Sequence, residues 1–345
     1  MKIPESIRGN LLLKMTSLNA GVIGVRLVIS LFIQRLLAEI VGEAGIAKIG
    51  SLRNLLEMLS SFASVGIFSG VVKYVAEYKD DKEQLQKLFS TTLVFTVLGT
   101  IVVSLFLFFG AYYLSTTIFD SPNYIYLIKL LAVIVPFISM YRVFNGIVNG
   151  LSLYKKLAGI DLFSYILSAI LTVVLLLTNN IDGALIAIAI TPALQFFVLL
   201  YIFIKVLREY VQFSKLTFKV PMANGLLAFS LMSFFSTVLL NYVEIDIRVM
   251  IQNKITMADA GIWTAMTNIS KNYMVFSSAI FTLYVLPKFA GIHNKTDFKA
   301  ELFNIYKTLL RKKWCVILSF QKCCRLHFSM ASLITSLEFM ALKGL

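Results

Sequence analysis

EIVGEAGIAKIGSLRNLLEMLSSFASVGIFSGVVKYVAEYKDD, running from Glu39 to Asp81, decides the fold. An apolar helix carries Arg53 and Glu57 one turn apart, meets the Gly-rich GIFSG, and ends in a loop of mixed charge. A helix long enough to cross a bilayer that keeps two charges needs a protein-lined or watery interior to hold them. The rest of the chain fits that reading. Its 345 residues are 58% hydrophobic and 14% charged, with a mean hydropathy of +0.82, against about 25% charged in soluble domains. The chain reads as a polytopic membrane protein. Its N-terminus is polar, and the helix that follows is too long for a cleavable signal peptide. The net charge of +14 fits cytoplasmic loops facing anionic headgroups and does not call for nucleic acid.

Apolar runs of about 20 residues mark spans. They fall at about 11–38, 52–71, 88–112, 124–144, 157–177, 183–204, 224–248 and 261–286. The joints VGEAG, DSPN, TNNIDG and NKITMADAG carry turn residues. Basic residues concentrate in alternate loops: Lys73, Lys79, Lys82 and Lys87; Arg142, Lys155 and Lys156; Lys205, Arg208, Lys215 and Lys219. The positive-inside rule therefore places the N-terminus and these loops in the cytoplasm. Spans without two-residue alternation predict an all-α bundle and exclude a barrel.

A weak repeat links AGIAKIGSLRNL (44–55) to AGIWTAMTNISK (260–271), and GIFSGVVKYVA (66–76) to AIFTLYVLPKFA (279–290). The offset of about 216 residues accommodates six spans, an even number, so both copies start on one side: a parallel repeat of two halves. The expected organisation is a six-helix bundle over 1–210, the first two helices of a second bundle over 211–310, and an atypical tail over 311–345. Two equal halves would extend to about residue 420. The tail holds all three Cys, between Cys315 and Cys324, and contains no long apolar run. It reads as a shifted frame or truncation, with an amphipathic tail as the plainer alternative. The first reading predicts a protein that transports poorly as written. No disulfide is implied.

Charge within or at the edges of the spans is the functional signal. The bases are Lys14, Arg26, Arg35, Arg53, Lys129, Arg142, Arg248 and Lys271; the acids are Glu39, Glu57, Asp161, Glu244 and Asp246. Lys14, Arg35, Glu39, Arg142 and Asp161 lie near span ends, where long side chains snorkel to the interface. Arg26, Arg53, Glu57 and Lys271 lie deeper. Arg53/Glu57 and Glu244/Arg248 are four apart, so each pair can neutralise itself on one helix face; that structural role competes with a substrate site. Arg26 and Lys271 have no such local partner. Ala20, Gly21, Gly24 and Ser30 accompany Arg26, as in close helix packing or a cavity wall. No Walker loop is present, His293 and His327 are isolated, and Cys323–Cys324 lacks zinc spacing. The chain reads as a non-enzyme without cofactor or metal.

GIFSGVVKYVAEYKDDKEQLQKLFSTT (66–92), DGALIAIAITPAL (182–194), and AGIWTAMTNIS with YMVFSSAIFTLYVLPKF (260–289) resemble Wzx-type flippases. That group includes the O-antigen and enterobacterial common antigen flippases. The resemblance runs from about residue 10 to 310. It implies two facing six-helix bundles, the first complete here and the second incomplete, as in multidrug and oligosaccharidyl-lipid exporters. It implies an undecaprenyl-pyrophosphate-linked oligosaccharide as cargo, turned from the cytoplasmic to the periplasmic leaflet of the inner membrane. The bilayer, the O-antigen polymerase and the chain-length regulator are the partners it brings. Arg26 and Arg53 fall where related proteins carry basic residues; Lys271 departs from relatives that carry an acid there. On this reading Arg26, Arg53, Arg248 and Lys271 bind substrate, and Glu57, Glu244 and Asp246 are candidates for ion coupling. The rivals are a small-molecule cation exporter of the same superfamily and a non-transporting scaffold for polysaccharide assembly. Eight bases against five acids favour an anionic cargo.

Overall fold

Fifty-three consecutive residues, Leu11–Ala63, are helical apart from one break. At 1.5 Å per residue such a run would be about 80 Å long, far beyond a bilayer of about 30 Å. Gly42 resolves the mismatch. It takes φ 68° and ψ −174°, a conformation open to glycine and costly for other residues, and divides α1 (Leu11–Ala63) into two arms. A computed structural model describes residues 11–151, 153–210 and 220–280. After α1 come α2 (Phe68–Glu77), α3 (Lys82–Phe109), α4 (Ala111–Phe119), a 3-10 turn (Pro122–Tyr124), α5 (Ile125–Gly150), α6 (Tyr154–Tyr210), α7 (Ala223–Lys254) and α8 (Met257–Ile280).

All described regular structure is helical, as predicted, and the joints explain the boundaries. Asp81 caps α3, accepting hydrogen bonds from the backbone N–H groups of Glu83 and Gln84 at 3.0 and 3.1 Å. Ser121 caps the turn that opens with Pro122. Asn180, at φ 49°, breaks α6 into two arms; asparagine tolerates the left-handed region better than most residues. VGEAG is a joint as expected, made by the single glycine Gly42; one boundary needs correcting. The second span is not 52–71: its helix runs up to Ala63, closed by the Gly66 N–H donating to the Ser61 carbonyl at 2.8 Å, and α2 restarts at Phe68.

Four helical stretches, 21–63, 82–109, 122–150 and 156–204, are long and apolar enough to cross a membrane, and two of them are the kinked pairs. The apolar surface faces both ways. Leu52, Leu107, Phe119, Leu127 and Ile128 fill one core and Val71, Leu85, Leu88, Ile160 and Phe203 another. Val102, Phe106, Phe109 and Tyr201 stand exposed, the pattern that lipid as solvent permits. Buried hydroxyls return to their own helix: Ser64, Thr96, Ser168 and Thr172 each donate to a carbonyl four residues back, at 2.6–2.8 Å. In the absence of water such internal partners are obligatory.

Pro136 sits inside α5. Having no N–H, it leaves the Ala132 carbonyl without its helical donor. The Ser104 hydroxyl of α3 donates to that carbonyl at 2.9 Å, so the proline defect becomes an interhelix bond. On the other side of the bundle, α7 packs against the second arm of α1 and against α2. Ser69 and Ser233 hydroxyls bond at 2.9 Å, and Phe62 meets Phe234 edge to face at 5.2 Å. Residues through Thr267 gather into one compact unit; of the second unit, Asn268–Ile280 are described. The expectations for 281–310 and for the tail at 311–345 lie outside the described residues.

Candidate functional site

Four helical segments bring polar side chains together, with Arg26 exposed and the others half-buried. The first arm of α1 supplies Arg26 and the second arm Arg53. The end of α5 supplies Tyr141, Arg142, Asn145 and Asn149, and the start of α6 supplies Asp161 and Tyr165. The Arg26 guanidinium lies 5.0 Å from the Tyr165 ring centroid and 4.0 Å from an Asp161 carboxylate oxygen. The two ion-pair side chains are 44% and 34% exposed. A pair this long and this open contributes little, so the guanidinium is free to take a stronger anion. Arg53 is half-buried and lies within electrostatic reach of the same Tyr165.

On α5, a spacing of four puts three polar groups on one face. The Asn145 amide donates to the Tyr141 hydroxyl at 3.3 Å, and the Asn149 amide donates to the Asn145 carbonyl oxygen at 3.4 Å. Tyr141 feels the charges of Asp161, Arg26 and Arg142. The Arg142 guanidinium stacks 4.9 Å from the Phe68 ring centroid, and its Nε is buried without a hydrogen-bond partner. Arg26 touches Asp161 and Tyr165, while Arg53 and Arg142 lie within electrostatic reach of Tyr165 and Tyr141 respectively. Guanidinium is permanently charged and matches phosphate or carboxylate oxygens bidentately, so the arrangement suits a polyanion.

Several sequence expectations change here. Arg26 does have a partner, brought from 135 positions away in the chain. Arg53 and Glu57 do not form an ion pair among those described; Glu57 is exposed. Arg142 and Asp161, read at span ends, are half-buried next to Phe68 and Arg26 respectively. Arg35 and Glu39 do pair on the exposed helix face, at 2.8 Å. Tyr141, Asn145, Asn149 and Tyr165 were not singled out in the sequence. The spacing of four along Tyr141–Asn145–Asn149 and along Asp161–Tyr165 was the available signal.

Arg248 and Glu244 occupy a second place. Arg248 is 2% exposed. Its Nε donates to the Thr264 hydroxyl at 2.8 Å, Nη1 reaches the Ser51 hydroxyl at 3.4 Å, and its guanidinium lies 5.4 Å from the Trp263 ring centroid. Glu244 accepts from the Asn54 amide at 2.8 Å while staying within electrostatic reach of Arg248. These contacts tie α7 and the start of α8 to the second arm of α1. Glycines let the backbones close up: a Cβ on Gly50 would lie 2.4 Å from the Thr264 methyl, and one on Gly261 1.8 Å from the Glu43 carbonyl oxygen. In this conformation Arg248 is enclosed by its hydroxyl partners. Asp246 is exposed on α7, and Lys271 is exposed in the second unit.

The described residues thus form a multi-pass α-helical fold with a cationic cluster around Tyr165. A solved structure titled "Inward-facing conformation of a multidrug resistance MATE family transporter of the MOP superfamily" matches the fold with a TM-score of 0.58 over 78% of this chain and 59% of that one, at 15% identity. The chain thus spans less than two thirds of that transporter. It belongs to the polysaccharide biosynthesis protein family, matched over residues 36–318. Among curated relatives it is 27% identical to the lipid III flippase of Escherichia coli (strain K12) over 290 residues, covering 83% of this chain and 69% of that protein. The lipid III flippase of Shigella flexneri gives the same figures.

Proposed function

We propose that the protein is a flippase for an undecaprenyl-pyrophosphate-linked oligosaccharide of the O-antigen or a related type. It would carry the headgroup from the cytoplasmic to the periplasmic leaflet of the inner membrane. The observation that carries this reading is the excess of guanidinium over carboxylate around Tyr165. A diphosphate entering a low-dielectric bundle loses its hydration, and Arg26, Arg53 and Arg142 replace it with charge-assisted hydrogen bonds. Asp161 holds Arg26 until the cargo arrives and is weak enough to be displaced. The prenyl tail stays in lipid. Movement of one helical bundle against the other then exposes the headgroup to the opposite side. Arg248 and Lys271 are proposed as further cations for the cargo, and Glu57, Glu244 and Asp246 as the carboxylates for ion coupling. The polymerase and chain-length regulator would receive the product.

The cation-exporter reading draws on the multidrug transporter's fold. A cationic drug calls for acidic, aromatic surroundings, and the three arginines oppose it. The discriminating experiment expresses the chain in a flippase-deficient strain. It scores surface glycan alongside resistance to cytotoxic cations. Restored glycan without resistance supports the flippase. Resistance without glycan would replace it with the drug exporter.

A further inference from the structure

On the face of α5 opposite the arginine cluster, α3 and α5 bound a groove of about 320 Å³. Its walls come from Phe89, Leu93 and Ile101 on α3 and from Pro136, Met140 and Ile147 on α5. Val97, Ile101 and Met140 stand exposed at its rim, toward the bilayer. The hydroxyls on its floor are turned inward. Thr96 donates to the Thr92 carbonyl, Thr100 and Ser139 bond to each other at 2.8 Å, Ser139 also donates to the Pro136 carbonyl, and the Thr92 hydroxyl is buried. The groove therefore presents methyl and methylene groups and no accessible donor. That surface takes a hydrocarbon chain and rejects a sugar, a phosphate or a drug with polar groups. From Phe89 to Ile101 the wall is about 18 Å long at 1.5 Å per residue.

We infer that this groove seats one acyl chain of a glycerophospholipid from the leaflet on the Lys82 side. Two features select this occupant over the isoprenoid tail of a transported lipid. First, the groove and the arginine cluster lie on opposite faces of α5: Met140, Val143 and Ile147 face the groove, and Tyr141, Arg142 and Asn145 face the cluster. A headgroup in the cluster would have to pass its tail through the helix. Second, the groove's stripe on α3 extends by the heptad 96, 89, 82 to exposed Lys82, about 10 Å beyond Phe89. An ammonium at that distance meets the phosphate of a lipid whose chain lies in the groove. By the positive-inside reading this is the cytoplasmic end.

The test uses the full chain in vesicles of phosphatidylethanolamine and phosphatidylglycerol, with phosphatidylglycerol carrying a diazirine in its acyl chain. After irradiation, labelled residues are mapped by mass spectrometry. Chain packing within a membrane is a modest force, so the labelling expected on 89–101 and 136–147 is about threefold that on the equally lipid-facing Leu105, Phe106 and Phe109. Val97→Trp with Met140→Trp fills the groove and removes the excess. Lys82→Glu transfers it to a phosphatidylethanolamine probe. Uniform labelling along α3 overturns the proposal. So does preferential labelling of the groove by a diazirine-bearing polyprenyl phosphate. Both comparisons are read on the unmodified chain, so they survive a variant that fails to fold.

Discussion

Arg26 is held loosely, and the role proposed for it in binding an anionic headgroup depends on that looseness. Its carboxylate partner is 4.0 Å away, and neither side chain is buried. Ground-state pairing therefore contributes little, whereas an arriving diphosphate gains a bidentate contact. Arg26→Ala is expected to lower glycan translocation about tenfold at unchanged protein level, the loss of one charge-assisted hydrogen-bonding group. Arg26→Lys should recover part of it, because charge is kept and the planar fork is lost. Surface glycan normalised to protein checks both. Equal glycan from Arg26→Ala would leave Arg26 structural. Arg248 shows the opposite design. Enclosed by Ser51, Thr264 and Trp263, it fixes α7 against α1. The sequence showed part of this distinction, since Arg248 has Glu244 four residues away and Arg26 has no local partner. Four-residue spacing proposed ion pairs for Arg53 and Arg248 along their own helices. The fold gave Arg248 hydroxyl partners on other segments, which lie 197 and 16 positions away.

At the scale of the element, the helices were legible from length and apolarity, and most of their joints from turn residues: VGEAG holds the break at Gly42 and TNNIDG the break at Asn180. The break between Ala63 and Phe68 was not legible, because it falls inside an apolar run that reads as one span. The Pro136 defect makes a sharper prediction. Ser104→Ala leaves the Ala132 carbonyl buried without a donor, at a cost of about 1–3 kcal/mol. Pro136→Ala supplies the missing N–H and removes the need for Ser104. Thermal unfolding in detergent should therefore show a destabilised Ser104→Ala and a double variant much less affected by that change. Additive effects would mean that the Ser104 bond and the Pro136 defect are independent.

At the scale of the molecule, the basic loops and the helix count set a topology. A single cysteine at Lys79, in the exposed α2–α3 loop, should resist an impermeant thiol reagent in intact cells and react after permeabilisation. One at Asn179, at the exposed bend of α6, should react in intact cells. Labelling of Lys79→Cys before permeabilisation would invert the orientation. The all-α membrane fold was available from composition alone, because lipid leaves the backbone few options. The cluster of Arg26, Arg53, Arg142, Asp161 and Tyr165 was available only in fragments, because its members meet through the packing of four segments.

The central claim, that this cluster recognises an anionic lipid-linked headgroup, is tested most directly with the protein reconstituted in vesicles. The measurement compares translocation of one oligosaccharide carried on undecaprenyl diphosphate with the same oligosaccharide on a neutral prenyl ether. It is made for the unmodified chain and for Arg26→Gln with Arg53→Gln. The account predicts that the unmodified chain moves the diphosphate-linked form faster by about tenfold or more, and that the double variant loses this preference. Equal rates for the two lipids, or a preference that survives loss of both arginines, would contradict it.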